Sequence, residues 1–198
     1  MRRIEEFWIE FNPPEEKEEK PSGISSVIFD VVDSVKGAVI VVFLIFALFF
    51  KAVGVDGDSM FPTLEDGNWV AVSGVTSNVE RGDIVVVTQP WERNVPIIKR
   101  VIALGGDTVD IDFETSEVFV NGVLLQEDYI AEPTTVSYDV VFPMTVDEGK
   151  VFVMGDNRNV SLDSRSSKIG QIDERYILGK ALIRIYPFSE WKIYDDKN

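Results

Sequence analysis

The chain has 198 residues, no histidine, no cysteine and a formal net charge of −15. The two absences exclude Ser–His–Asp triads, Cys–His proteases, His/Cys zinc sites and disulfide scaffolds. The acidic balance argues against nucleic acid as a partner, because phosphate binding needs a basic face. No Walker-type or dinucleotide-binding glycine loop is present, and "DIDFE" lacks the glycine and distal glutamate of a calcium loop. No cofactor and no metal are therefore expected.

Residues 1–36 begin polar: "FNPPEEKEEKPSG" has almost nothing to bury and predicts a flexible tail. "ISSVIFDVVDSVK" follows as a short amphipathic lead-in helix. Gly37 to Phe50, "GAVIVVFLIFALFF", has no polar side chain. Fourteen helical residues reach only about 21 Å, short of a hydrocarbon core near 30 Å. The run lengthens if Val31 to Lys36 enter it, and if Lys51 snorkels and the helix continues to Val55. A transmembrane helix is thus expected over 37–54, with a buried core helix or a cleaved signal peptide as alternatives. Arg2, Arg3, Lys17, Lys20 and Lys36 precede the run and only Lys51 closely follows it. That bias favours a cytoplasmic N-terminus with the bulk of the chain outside.

From Val55 onward the pattern is β. "NWVAVS", "DIVVVTQ", "IIKRVIAL", "TVDID", "EVFVNGVLL", "VFVMG" and "KALIRIYPF" are short β-branched or aromatic runs separated by turn residues. Only "DERYIL" hints at a helix. A mainly β fold is expected, an antiparallel sheet or barrel over 55–198, with about 108–150 as a variable insertion.

Chemistry concentrates in three places. "VDGDSMFPTL" presents Ser59 in a Gly/Asp-rich turn, with no histidine anywhere to take its proton. "VPIIKRVIAL" flanks Lys99 with apolar residues, and desolvation would lower its pKa far enough for it to serve as the base. The ordinary alternative is a strand lysine facing water. "GDNRNVSLDSR" follows a strand-like run, and Ser161 there could orient the Lys99 amine while Asp163 pairs with Arg165. The ordinary alternative is a turn with side-chain bonds from Asp156 and Asn157.

Together, "GDSMFPTL", "RGDIVVV", "IIKRVIALGGDTV" and "GDNRNVSLDSR" behind one apolar run resemble bacterial type I signal peptidases, in their short single-span Gram-positive form. The likeness covers roughly Lys51 to Phe188. It implies a membrane-bound serine endopeptidase that removes signal peptides from exported preproteins outside the cytoplasmic membrane. By the same resemblance, Ser59 and Lys99 form a Ser–Lys dyad and Ser161 orients the lysine. Asp163 and Arg165 form a supporting ion pair, with Asp156 and Arg100 in the same network. Backbone around Val55 to Gly57 and near Ile98, with Met60 beside them, would bind an extended substrate. The partners implied are preprotein signal peptides, the phospholipid bilayer and an export translocon.

Two positions depart from the pattern. Gly105 stands where many members have proline, so a looser turn is expected. Gly57 stands where some members carry a serine that donates to the oxyanion. The competing readings are a self-cleaving repressor sharing the dyad, which would need a DNA-binding domain, and a non-catalytic membrane-anchored β module.

Overall fold

A computed structural model of the chain describes residues 23–74, 79–88 and 95–194. The flexible tail expected over 1–36 lies outside the described residues as far as residue 22. Contacts divide the chain into an N-terminal unit ending at Ile45 and a β unit beginning at Phe46.

The lead-in patch and the apolar run form one helix, α1 (Ile24–Phe49, 26 residues). Val39, Ile40, Val41 and Val42 are 61%, 58%, 55% and 53% exposed. Four consecutive residues point to all sides of a helix, so no single face is packed away. Asp30, Asp33 and Lys36 fall in its first half. Among the described residues no helix is both long and apolar enough to cross a membrane.

The helix does not continue to residue 54. Phe50–Gly54 is strand β1, paired in register with β2 (Trp69–Ser73) from Phe50↔Ser73 to Gly54↔Trp69. The Gly74 N–H also donates to the Phe49 carbonyl at 3.0 Å. Here an antiparallel partner satisfies the backbone and overrides the helical continuation of the apolar run.

The remaining strands are β3 (Ile84–Val87), β4 (Ile97–Leu104), β5 (Thr108–Asp112), β6 (Glu117–Val120), β7 (Val123–Leu124) and β8 (Met144–Thr145). They are followed by β9 (Lys150–Met154), β10 (Ile172–Asp173), β11 (Ile177–Tyr186) and β12 (Lys192–Ile193). The larger sheet runs β1-β2-β11-β3-β4-β9-β10, with β12 also on β11; the smaller runs β7-β6-β5-β8. Every pairing is antiparallel, so the expectation of a mainly β antiparallel fold holds. The small sheet lies within 108–150. "DERYIL" forms only a 3₁₀ turn, Glu174–Tyr176, before β11 begins, with Asp173 capping it by accepting from the Arg175 N–H.

β3 is buried on both faces, which is why "IVVV" lacks alternation. Ile84 and Val86 join a core with Val55, Met60, Leu64, Val70, Val72 and Ile98. Val85 and Val87 join a second core with Val101, Val151, Val153 and Ile172. β4 therefore runs through the middle of the packed unit, and any polar side chain on it is drawn out of water.

Candidate active site

Lys99 lies on β4 opposite Val85 of β3 and is 4% exposed. Its Nζ donates to Ser59 Oγ at 2.7 Å and to its own neighbour's carbonyl, Ile98 O, at 2.9 Å. Among the described residues no carboxylate bonds it. Burial holds the Lys99 amine down at about 8, against an opposing pull from Asp163 and then Asp156.

Those two carboxylates are each occupied by an arginine. Asp163 and Arg165 are fully buried, with Arg165 Nε donating to Asp163 Oδ1 at 2.8 Å and Nη2 to Oδ2 at 2.9 Å. Arg100 grips Asp156 the same way, Nε to Oδ1 at 2.8 Å and Nη2 to Oδ2 at 2.7 Å. Two parallel bonds to a planar carboxylate fix both partners' orientation. A lysine would otherwise find one of these carboxylates and stay charged.

Ser59 is half-buried in the turn after β1. The loop of residues 155–161 holds it in place: the Asn157 N–H donates to the Ser59 carbonyl at 3.1 Å, and Asn157 Nδ2 to the Asp58 carbonyl at 3.1 Å. Gly155 makes this approach possible. A Cβ there would meet both Ser161 Oγ and the Ser59 carbonyl at 2.3 Å.

Ser161 is buried beside Ser59, but the expected bond to Lys99 is not formed. Among the described residues its Oγ has no hydrogen-bond partner. Lys99 directs its second bond to the Ile98 carbonyl.

Of the residues expected to meet substrate, Val55, Met60 and Ile98 share the first apolar core. Val55 has no free backbone: its N–H donates to the Asn68 carbonyl at 2.8 Å and its carbonyl accepts from the Gly67 N–H at 3.0 Å. The Gly57 N–H donates to Asp66 Oδ1 at 2.9 Å. The Asp56 backbone and the Gly57 carbonyl are thus what this stretch has left to offer. Gly105 is crowded, with Asp147 O, Glu148 Cα and Gly149 N each 3.0 Å from where its Cβ would be. Among the described residues, no group of acidic, His or Cys side chains could hold a metal ion.

The family model described as "Signal peptidase, peptidase S26" matches residues 28–186. The chain belongs to that family. It is a serine-type peptidase. A signal peptidase I of Bacillus licheniformis is 38% identical over 183 residues, covering 87% of this chain and 96% of that protein. Signal peptidase IB of Staphylococcus aureus (strain COL) is 34% identical, covering 83% and 93% respectively. A crystal structure of a signal peptidase I from Enterococcus faecalis V583 is 33% identical, covers 52% of this chain and 97% of that one, and has a TM-score of 0.44.

The sequence reading of this S26 peptidase missed Arg158, Glu127, Tyr129 and Tyr138. Arg158 is fully buried and donates to Glu127 Oε2 and Thr134 Oγ1, both at 2.9 Å, and to the Gly155 carbonyl at 3.1 Å. Tyr138 Oη donates to the Ser161 carbonyl at 3.0 Å. Arg158 stands inside the quoted "GDNR", but nothing local shows that its partner is 31 residues upstream.

Two predictions follow from this geometry. Gly57 has φ +85°, in the left-handed region, with open space where a Cβ would go. Gly57→Ser should therefore be strained by about 1–2 kcal/mol, lowering the melting temperature by several degrees and slowing cleavage. An unchanged melting temperature with faster turnover would contradict it.

The second concerns Lys99. Its pKa is about 8 in the fold against an ordinary 10.5. Below pH 8 the amine is charged both folded and unfolded, and its desolvation cost is fully present. Between about 8 and 10.5 the unfolded chain binds more protons, so stability rises with pH until the cost is gone. Lys99→Met removes that cost and should raise unfolding free energy at pH 7 by about 1–3 kcal/mol, the gain shrinking toward pH 10.5. Denaturant melts of the detergent-solubilised full chain at the two pH values measure it.

Proposed function

We propose that this chain is a membrane-bound endopeptidase that removes signal peptides from exported preproteins through a Ser59–Lys99 dyad and an acyl-enzyme. The observation that carries the reading is the 2.7 Å contact between Lys99 Nζ and Ser59 Oγ, at a buried amine that no carboxylate among the described residues bonds. With a pKa of about 8, roughly one lysine in ten is neutral at pH 7, against one in thousands for an ordinary lysine.

The neutral amine takes the Ser59 proton as Oγ attacks the scissile carbonyl. The resulting oxyanion meets the Ser59 N–H, which has no partner among the described residues. Lys99, now an ammonium, passes its proton to the departing amine as the carbon–nitrogen bond breaks, leaving an ester on Ser59. Water, deprotonated by Lys99, hydrolyses that ester and restores the serine. The Arg165–Asp163 and Arg100–Asp156 pairs keep both carboxylates from capturing the ammonium.

An extended substrate has a place to lie. β9 pairs with β4 only from Arg100 onward, so Ile97 to Lys99 have one edge that no described strand covers. Peptide added there would pair backbone to backbone, with the Asp56 backbone and the Gly57 carbonyl opposite. The curated relatives are named signal peptidases, which supports signal peptides as the substrate.

A bilayer gives the exposed apolar side chains of residues 39–44, Phe46 and Phe49 an environment without water. Tyr186, Phe188 and Trp191 are 51%, 79% and 67% exposed, and amphipathic rings favour the membrane–water boundary. An enzyme held at the bilayer meets membrane-borne signal peptides at raised effective concentration.

Ser59→Ala and Lys99→Arg should each abolish cleavage of a purified preprotein while circular dichroism stays unchanged, since a guanidinium cannot accept the proton. Wild-type kcat/KM should rise with pH through an apparent pKa near 8. Turnover by the arginine variant would defeat the base assignment. For the topology, protease added to intact spheroplasts should digest the β unit and spare the N-terminal tail; a protected β unit would overturn it.

A further inference from the structure

The segment over residues 125–140, inside the stretch expected to be a variable insertion, is laced to the Ser161 loop. The Ala131 N–H donates to the Asp156 carbonyl at 3.1 Å, and the Val140 N–H to the Arg165 carbonyl at 3.2 Å. Arg165 Nη1 donates to the Val136 carbonyl at 2.9 Å. One side chain of this segment reaches the arginine next to the base. The Tyr129 ring lies against the Arg100 guanidinium, whose carbon is 4.0 Å from the ring centroid, and the Arg158 guanidinium carbon is 5.9 Å away.

We infer that Tyr129 is a positioning residue for the reaction: it presses Arg100 onto Asp156, and so keeps the Asp156 charge from holding a proton on Lys99. The inference rests on the Ser59–Lys99 reading above. A ring against one guanidinium face restricts its motion and adds cation–π attraction without competing for its N–H groups. Among the described residues the only other acceptors on Arg100 are the Gly82 carbonyl at 2.8 Å and Thr63 Oγ1 at 3.5 Å, the latter too long to hold it. The arginine side chain is 11% exposed and Asp156 fully buried. Opening the ring's side would admit water to a pair that depends on being dry.

The groups facing Lys99 are Ser59 from the nucleophile turn, Asp156 and Asp163 from the 155–165 loop, and Arg100 and Arg165 through those carboxylates. Those facing Tyr129 are Arg100, Arg158, Glu127 and Asp156. Arg158 is neutralised by Glu127, so the ring's other side carries a balanced pair. Burial pushes the phenol above its ordinary value, so Tyr129 stays neutral through the assay range and cannot itself produce a step near pH 8. If the ring goes and Arg100 swings out, Asp156 is less screened and the repelling guanidinium is farther from Lys99. Both changes raise the pH at which Lys99 loses its proton.

The test is the pH dependence of kcat/KM for the full-length enzyme in detergent with a preprotein substrate. Tyr129→Phe should keep the wild-type apparent pKa. Tyr129→Met should shift it upward by about half a unit, a roughly threefold loss at pH 7 that fades at high pH. Pentafluorophenylalanine incorporated at position 129 keeps the ring's shape but withdraws its electron density, so it stays informative if the methionine variant does not fold. It should shift the step in the same direction relative to Phe. An equal loss at every pH, or a step that does not move in the methionine and fluorinated variants, overturns the role of Tyr129. Cleavage surviving Ser59→Ala, or a wild type without a step near pH 8, overturns the dyad reading and the inference with it.

Discussion

A lysine amine without a carboxylate bonded to it, in the middle of a packed sheet, is the constraint around which the other polar groups are arranged. Ammonium ions are costly to bury, and an isolated one is relieved either by pairing or by losing its proton. Lys99 has two aspartates acting on it, Asp156 and Asp163, and bonds neither. Each is engaged by a guanidinium whose planar fork a lysine cannot displace. Removing one partner from such a buried pair costs about 3–5 kcal/mol, so the arginines guard stability and basicity together.

The same arrangement accounts for the glycines and loops around it. Gly155 lets the Ser161 loop come against the Ser59 backbone, and Asn157 then ties the two together. Ser59 is thereby presented to Lys99 from a turn whose own conformation depends on Gly57 in the left-handed region. The nucleophile, the base and the ion pairs come from separate parts of the chain, and the sheet brings them together. A site with a desolvated base gives up stability for reactivity.

Some of this was legible in the sequence because it is local. The strand runs alternate or stay apolar as the burial of their faces demands, and the flanks of Lys99 foretell its desolvation. Asp163 and Arg165 are two residues apart and could be paired on spacing alone. Phe50 to Gly54 was misread because an apolar run carries no mark of where helix ends and strand begins; only pairing with Trp69–Ser73 decides it. Glu127 and Tyr129 went unread because their partners, Arg158 and Arg100, are 31 and 29 positions away in a chain that gives no hint of the fold bringing them together. Ser161 was read as able to orient the lysine, but a hydroxyl's partners are set by loop geometry, and here its Oγ has none among the described residues.

The central claim is that Lys99 loses its proton far more easily than an ordinary lysine, and this can be observed without substrate. Detergent-solubilised enzyme labelled with ¹³C and ¹⁵N at lysine would be titrated while the side-chain Cε and Nζ shifts are followed by NMR, with Lys99→Met identifying the resonance by its absence. The account predicts that Lys99 titrates near pH 8. A Lys99 resonance that titrates near the ordinary lysine value of 10.5 would contradict it.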